Sequence, residues 1–256
     1  MRYVRFIKDN IAAFGELLAD GRIQPLDNAP YSGGKAAGIP VLAADVRLTA
    51  PCEPSKIVAV GKNYYDHIKE FDAQIPETPI LFIKPTTAIN HPDASIVLPA
   101  QSLSHRVDYE GELALVIARK ATRVSEADAL SYVQGYTILN DVTARDLQKK
   151  DGQWTRAKGM DGFSPIGPIV TDEIDPDHVG IRTRLNGKVV QESNTDLMIW
   201  KVAQLIAFIT ESMTLLPGDV VTTGTPAGVG PMVEGDVVEV EVDGIGILRN
   251  TVSAPL

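Results

Sequence analysis

Val107-Asp108-Tyr109-Glu110-Gly111-Glu112-Leu113-Ala114-Leu115-Val116-Ile117-Ala118 is the stretch that decides the fold class. Side chains alternate across a strand with a period of two, so Leu113, Leu115 and Ile117 share one face while Asp108, Glu110 and Glu112 share the other. One face is expected to be core and the other acidic. Working outward, Ile57-Val58-Ala59-Val60 and Ile80-Leu81-Phe82-Ile83 read as buried strands upstream, and Tyr136-Thr137-Ile138-Leu139 reads as a strand that ends at Asp141. Further on, Pro217-Gly218-Asp219 turns into Val220-Val221-Thr222-Thr223. Val237 to Val242 alternates with acidic residues before an Asp243-Gly244 hairpin turn.

Helical signals are sparse. Asp66 is positioned to cap a short helix carrying His67 and Glu70, and Ser125-Glu126-Ala127-Asp128 resembles a capping box. Thr195 is expected to cap the longest helix, in which Ile199, Val202, Ile206 and Ile209 form one apolar stripe. Many strands with few helices predict an α+β, β-rich chain, because a doubly wound parallel sheet needs a helix after nearly every strand. Residues 1–50 read as a small β-rich N-terminal subdomain with a turn at Asp20-Gly21. Pro51-Cys52-Glu53-Pro54 is the expected linker, and residues 56–256 the expected larger domain, which holds every candidate site residue named below.

Composition narrows the function. The 256 residues carry 24 Lys+Arg against 33 Asp+Glu, a formal net charge of −9, with 44% hydrophobic residues. Such a chain lacks the basic footprint that nucleic acid or an anionic membrane surface requires. The lone Cys52 forms no internal disulfide or thiolate zinc cluster. Charges interrupt the apolar residues of Met1-Arg2-Tyr3-Val4-Arg5-Phe6-Ile7-Lys8, and no later apolar run reaches membrane-spanning length, so a cytoplasmic protein is expected. Nucleotide motifs are also excluded. Gly224-Thr225-Pro226-Ala227-Gly228-Val229-Gly230 lacks the dinucleotide spacing, and Gly33-Gly34-Lys35-Ala36 has no hydroxyl after its lysine.

The acidic face then carries the chemistry. On a strand, Glu110 and Glu112 point the same way with Cβ atoms roughly 6–7 Å apart. At an effective dielectric near 20 their repulsion is about 2–3 kcal/mol, which a partly buried site tolerates only with a cation or a shared proton. A solvated strand face is the bland alternative. Gly111 between them sacrifices packing but lets a backbone or ligand approach. Asp141 follows an apolar strand and would add a third carboxylate, or else it caps a helix begun by Asp141-Val142-Thr143. Three carboxylates select a hard cation, Mg²⁺ or Mn²⁺ before Zn²⁺, and leave three octahedral positions for a bidentate substrate and a water. His67 and Glu70 lie three apart, so on a helix Glu70 orients the imidazole as a general base; a surface ion pair is the alternative. Lys158 lies in a glycine-flanked stretch suited to presenting a cation. His91, His105 and His178 read as structural or surface residues.

Together these segments resemble the fumarylacetoacetate hydrolase family. The matching stretches are Val60-Gly61-Lys62-Asn63-Tyr64 through His67-Ile68-Lys69-Glu70, Phe82-Ile83-Lys84-Pro85, Asp108-Tyr109-Glu110-Gly111-Glu112-Leu113, Asn140 through Asp146, and Thr223 through Gly230. The resemblance implies a mixed β-roll of sandwiched sheets with a small N-terminal extension, assembled as a homodimer. By resemblance, Glu110, Glu112 and Asp141 fall on the metal-ligand positions, His67 and Glu70 on the catalytic dyad, and Lys158 on the active-site lysine. Arg145, Lys84 and Thr225 fall in motifs that line the substrate pocket. A further upstream aspartate ligand of the tyrosine-degrading member has no match, because Val60 stands at that spacing. The resemblance therefore implies the acylpyruvase-like branch.

The resulting expectation is a Mg²⁺- or Mn²⁺-dependent hydrolase that cleaves a C–C bond in acylpyruvate-type 1,3-diketo acids, with a small 2-oxo acid as partner. The alternatives are oxaloacetate decarboxylation or tautomerisation and isomerisation of a hydroxymuconate of the 2-hydroxyhepta-2,4-diene-1,7-dioate type. A non-catalytic cation-binding protein is the alternative from another class.

Overall fold

The computed structural model of the chain describes residues 1–70, 72 and 74–255. The first fifty residues form β1 (Arg2–Lys8), β2 (Ile11–Leu17), β3 (Arg22–Leu26), β4 (Val41–Leu42) and β5 (Arg47–Thr49). Next come β6 (Ile57–Gly61), α1 (Tyr65–Glu70), β7 (Ile80–Lys84), β8 (Ile89–Asn90), β9 (Ser95–Val97), β10 (Val107–Tyr109) and β11 (Gly111–Ile117). The middle of the chain holds α2 (Glu126–Ala129), β12 (Val133–Asn140), β13 (Thr143–Ala144), α3 (Arg145–Asp151), α4 (Thr155–Lys158) and β14 (Ser164–Thr171). The last third holds β15 (Gly180–Leu185), β16 (Lys188–Asn194), α5 (Val202–Ser212), β17 (Val220–Thr222), β18 (Gly230–Pro231), β19 (Val237–Val242) and β20 (Gly246–Ser253). No helix among the described residues is long and apolar enough to cross a membrane.

A 12-stranded mixed sheet runs β4-β3-β2-β1-β14-β12-β11-β17-β6-β7, with β5 on β1 and β8 on β14. The N-terminal strands thus continue the same sheet, joined through the Tyr3↔Val170 pair of β1 and β14. A 5-stranded sheet, β16-β15-β19-β20-β9, packs across it, and in a 3-stranded sheet, β13-β10-β18, strand β10 leads into β11 through Glu110. This is the β-rich α+β architecture expected from the alternating patterns.

The expected two-faced character of Val107–Ala118 needs correction. Leu113, Leu115 and Ile117 do pack in one core with Val240, Val242 and the Val202, Ile206 and Ile209 stripe of α5. Past Glu112, however, the opposite face is also core: Ala114 and Val116 pack with Leu139, Ile166 and Val170. Because β11 lies at the centre of the sheet with both faces covered, it is buried throughout and only its leading end is acidic.

Two helix starts also differ from expectation. Thr195 lies in a single 3-10 turn, Thr195–Leu197, capped by Asn194. Helix α5 begins seven residues later, and Ile199 lies outside it, because fully buried Asn63 holds the intervening backbone in a non-helical bend. Its carbonyl accepts the Ile199 N–H at 2.8 Å, its Oδ1 accepts the Trp200 N–H at 2.8 Å, and its Nδ2 donates to the Trp200 carbonyl at 3.0 Å. Asp66 lies inside the first turn of α1 and does not cap it. Ser125 does cap α2, accepting the Asp128 N–H.

Candidate active site

The acidic end of β11 is organised by an interruption. Glu110 falls between β10 and β11, outside either strand. Its N–H donates to the Asn140 side-chain oxygen at 2.9 Å, and its carbonyl accepts the Asp141 N–H at 2.8 Å. Since Gly111 pairs with Asn140 in the β11–β12 register, the residue after β12 lands beside Glu110. Glu112, one step into β11, accepts the Gly224 N–H at 3.0 Å. Gly224 can turn there because its φ of 89° and the approach of Asn63 leave no room for a side chain. The result is a cluster in which one carboxylate oxygen each from Glu110, Glu112 and Asp141 lies within 4.8 Å of the others. The expected role of Gly111 is corrected here. A Cβ at this position would come 2.3 Å from Thr183 Oγ1 and 2.9 Å from a Val240 methyl, so the glycine makes room for packing of β15 and β19 rather than for a ligand.

The three carboxylates are not equivalent. The Lys158 ammonium donates at 2.7 Å to each of Glu110, Asp141 and the Thr143 hydroxyl. Arg145 donates to Asp108 at 2.9 Å and also pairs with Glu110. Lys84 pairs with Asp141 and donates to the Phe163 carbonyl at 2.7 Å. Glu112, only 1% exposed, has no ion pair among the described residues. Burial works to raise the Glu110 pKa, yet Lys158, Arg145 and His67 together hold it below the usual carboxylate range. Burial, reinforced by Asp141 and Glu110, pushes Glu112 well above that range. An all-oxygen set with one buried, uncompensated carboxylate fits a hard divalent cation, which would supply the missing charge.

Helix α1 brings the second group. His67 Nδ1 lies 3.2 Å from a Glu70 oxygen, and the other Glu70 oxygen accepts the Gly228 N–H at 3.1 Å. Gly228 adopts φ 101°, and a Cβ there would strike the Val190 carbonyl, so this loop can aim its amide at Glu70 only as glycine. Burial lowers the His67 pKa from its ordinary 6.5, against the opposing pull of Glu110 and Glu70. A neutral imidazole with Nδ1 tied to a carboxylate presents Nε2 as its accepting nitrogen.

These groups face one pocket of about 280 Å³. His67, Glu110, Glu112 and Asp141 line it with Arg145, Lys158 and Thr225, while Glu70 stands behind His67. Lys84 does not line it: fully buried beneath Asp141, its ammonium is spent on that carboxylate and the Phe163 carbonyl, so its place is corrected from pocket wall to support. Among residues that sequence reasoning missed, Asp108 anchors Arg145 and Asn140 anchors Glu110. Gln191 accepts the Gly111 N–H at 3.0 Å and donates at 2.9 Å to both Thr225 Oγ1 and the Pro226 carbonyl. Asn140 was detectable from its place beside Asp141. Gln191 lies on β16, 80 residues from Gly111, and carries no local signal. The Phe82 and Trp154 rings, packed edge-on at 5.3 Å between centroids, form an apolar wall.

Comparison with known proteins shows what the chain is similar to. The family model described as Fumarylacetoacetate (FAA) hydrolase C-terminal matches residues 56–253, and that described as Rv2993c-like, N-terminal matches residues 1–51. The chain is 51% identical over 247 residues to an uncharacterized protein of Archaeoglobus fulgidus, covering 96% of this chain and 94% of that one. A Xenopus laevis protein named mitochondrial oxaloacetate tautomerase is 45% identical over 222 residues, 82% of this chain and 69% of the relative. The crystal structure of 5-carboxymethyl-2-hydroxymuconate delta-isomerase from Mycobacterium smegmatis superposes with a TM-score of 0.93 at 45% identity, covering 99% of this chain and 100% of that one. By sequence and fold, the chain belongs to the fumarylacetoacetate hydrolase family.

Proposed function

We propose that the protein catalyses metal-dependent proton transfer on a small 2-oxo dicarboxylate, interconverting the keto and enol forms of an oxaloacetate-like acid. The observation that carries this reading is that the His67–Glu70 pair and the Glu110, Glu112 and Asp141 cluster face one pocket. The three carboxylates would hold Mg²⁺ or Mn²⁺, which when bound supplies Lewis acidity toward a 2-oxo carbonyl. His67, neutral and oriented by Glu70, takes the C3 proton; the C2 oxygen gains one in exchange, so no atom enters or leaves. The Glu70 charge stabilises the imidazolium that forms. Lys158 commits its three N–H donors to Glu110, Asp141 and Thr143, and so positions the carboxylates instead of delivering a proton. Phe82 and Trp154 keep water from the apolar side of the pocket. The names of the Xenopus and Mycobacterium relatives both denote proton shifts, which supports the reading.

Hydrolytic C–C cleavage of an acylpyruvate is the second reading, favoured by the same Phe82–Trp154 wall, which suits an apolar acyl group. There His67 would deprotonate a water. A steady-state panel with Mg²⁺ decides between them, comparing ketonisation of enol-oxaloacetate with cleavage of acetylpyruvate and isomerisation of a hydroxymuconate. Metal-dependent ketonisation that exceeds cleavage in kcat/KM by about tenfold or more is the expected result. Dominant cleavage would overturn the first reading in favour of the second.

A further inference from the structure

Lys62, half-buried in the lining of a pocket whose carboxylates are buried, holds an unusual backbone. Its φ of 56° lies in the left-handed region, which a lysine enters only when its surroundings dictate it. Both neighbours do so. On one side, a Cβ at Gly61 would come 2.3 Å from the Trp154 ring, so the indole packs directly on the glycine backbone. On the other, Asn63 is fully buried and donates to the Thr223 carbonyl at 2.8 Å as well as gripping Trp200. Locked between them, the half-buried Lys62 side chain lines the pocket.

The charges in the lining separate into two kinds. Arg145 and Lys158 are spent on Asp108, Glu110 and Asp141. Lys62 and Lys149 line the same pocket, and their ammonium groups have no hydrogen bond or ion pair among the described residues. A 2-oxo acid whose 1-carboxylate and 2-oxo group lie toward the buried cluster would direct any second carboxylate toward the less buried part of the lining, which holds Lys62 and Lys149. We propose that Lys62, assisted by the more exposed Lys149, recognises that second carboxylate and selects 2-oxo dicarboxylates over 2-oxo monocarboxylates. This specificity rests on the proton-transfer reading of the site and adds to it the residues that read the second carboxylate.

The test compares oxaloacetate with 2-oxobutanoate, which replaces the far carboxylate by a methyl group. Binding to the Mg²⁺-loaded protein is read from tryptophan fluorescence, and oxaloacetate ketonisation is followed in parallel. The wild-type protein is expected to prefer oxaloacetate by about tenfold or more, with the preference shrinking between about 25 and 250 mM salt. Lys62→Met should reduce the preference to about threefold or less by weakening oxaloacetate binding, and Lys62→Arg should restore most of it. Lys62→Gly keeps the left-handed turn while removing the ammonium, so it should fold at least as stably as the parent yet lose the preference equally. A preference that survives in Lys62→Gly and Lys62→Met, or a wild-type protein with none, would overturn the proposal. Selective binding without ketonisation would sink the activity reading and leave the recognition standing. Ketonisation with no preference between the two acids would do the reverse.

Discussion

Glu70 and Gly228 are joined by an N–H···O bond of 3.1 Å across 158 residues of sequence. The same residue is held from its other side, where the Gly228 carbonyl, in the next peptide unit, accepts the Tyr109 hydroxyl at 2.9 Å. A helix of six residues, α1, is too short to hold a catalytic imidazole rigidly by itself. Glu70 therefore ties His67 to the loop that carries Thr225 and, through Gln191, to the backbone of the carboxylate cluster.

The dyad supplies the first prediction. His67→Ala should lower kcat by about 10²–10⁴ with metal affinity retained, the range for loss of a general base. Burial holds the His67 pKa below 6.5, so the acid limb of kcat/KM should have its midpoint below that value and the rate should rise with pH through it. Glu70 acts to raise that pKa, so Glu70→Gln should move the limb to lower pH while reducing the plateau less than His67→Ala does. A limb that moves to higher pH in Glu70→Gln would show that His67 is not the titrating base.

Much of this site was legible because strand parity is a local property. Leu113 and Glu112 declare opposite faces from spacing alone, and Asp141 declares itself by ending an apolar strand. What sequence could not supply were relationships made by tertiary contact. The burial of Ala114 and Val116 depends on β11 being central in its sheet, and the late start of α5 depends on Asn63, more than 130 residues away. Lys84 carries the right motif for a pocket lysine, yet its role depends on which side of Asp141 it reaches, and that is a matter of packing.

Glu112 supports a second prediction, drawn from its lack of an ion pair beside the paired Glu110 and Asp141. Glu112→Gln keeps the acceptor for the Gly224 N–H and removes a carboxyl whose ionised form the metal-free site disfavours. The metal-free variant should unfold at the same or higher temperature than the parent, whereas its Mn²⁺ affinity should fall by about tenfold or more. Calorimetric titration with Mn²⁺ and a thermal melt in chelator check the two halves. Unchanged Mn²⁺ affinity would remove Glu112 from the ligand set.

A third prediction concerns stability and pH at the junction with the N-terminal strands. Asp219, with a fully buried side chain, accepts the Ser55 N–H at 2.9 Å, the Ser55 hydroxyl at 2.7 Å and the Leu216 N–H at 2.8 Å, and it pairs with Lys56. Burial opposes its ionisation, but Lys56, Ser55 and Leu216 hold its pKa below the ordinary 3.8. A depressed carboxyl pKa gives stability that is present above the unfolded value and lost as pH falls through the folded one. Asp219→Ala should therefore cost about 2–4 kcal/mol at pH 7, with the cost shrinking as the pH drops below about 4. Denaturant unfolding at both pH values measures this; a cost that grows on acidification would contradict it.

Gln191 tests whether the carboxylate cluster needs support from outside its own strands. Its side chain, 1% exposed, uses both ends, accepting from the Gly111 N–H and donating to Thr225 and Pro226. Gly111 separates Glu110 from Glu112, so a shift of its peptide moves both carboxylates relative to Asp141. Gln191→Leu fills similar volume but orphans the buried Gly111 amide, and should cost about 1–3 kcal/mol of stability. If Gln191 also positions the cluster, the variant should bind Mn²⁺ more weakly at temperatures well below its melting point, and KM should rise through the displaced Thr225. Gln191→Glu separates the two effects, because a carboxylate can still accept the Gly111 N–H but cannot donate to Thr225 or Pro226 while ionised. Partial recovery of Mn²⁺ affinity in Gln191→Glu, with KM still raised, is the expected pattern. Full activity in Gln191→Leu at reduced stability would show that its role is confined to holding the fold.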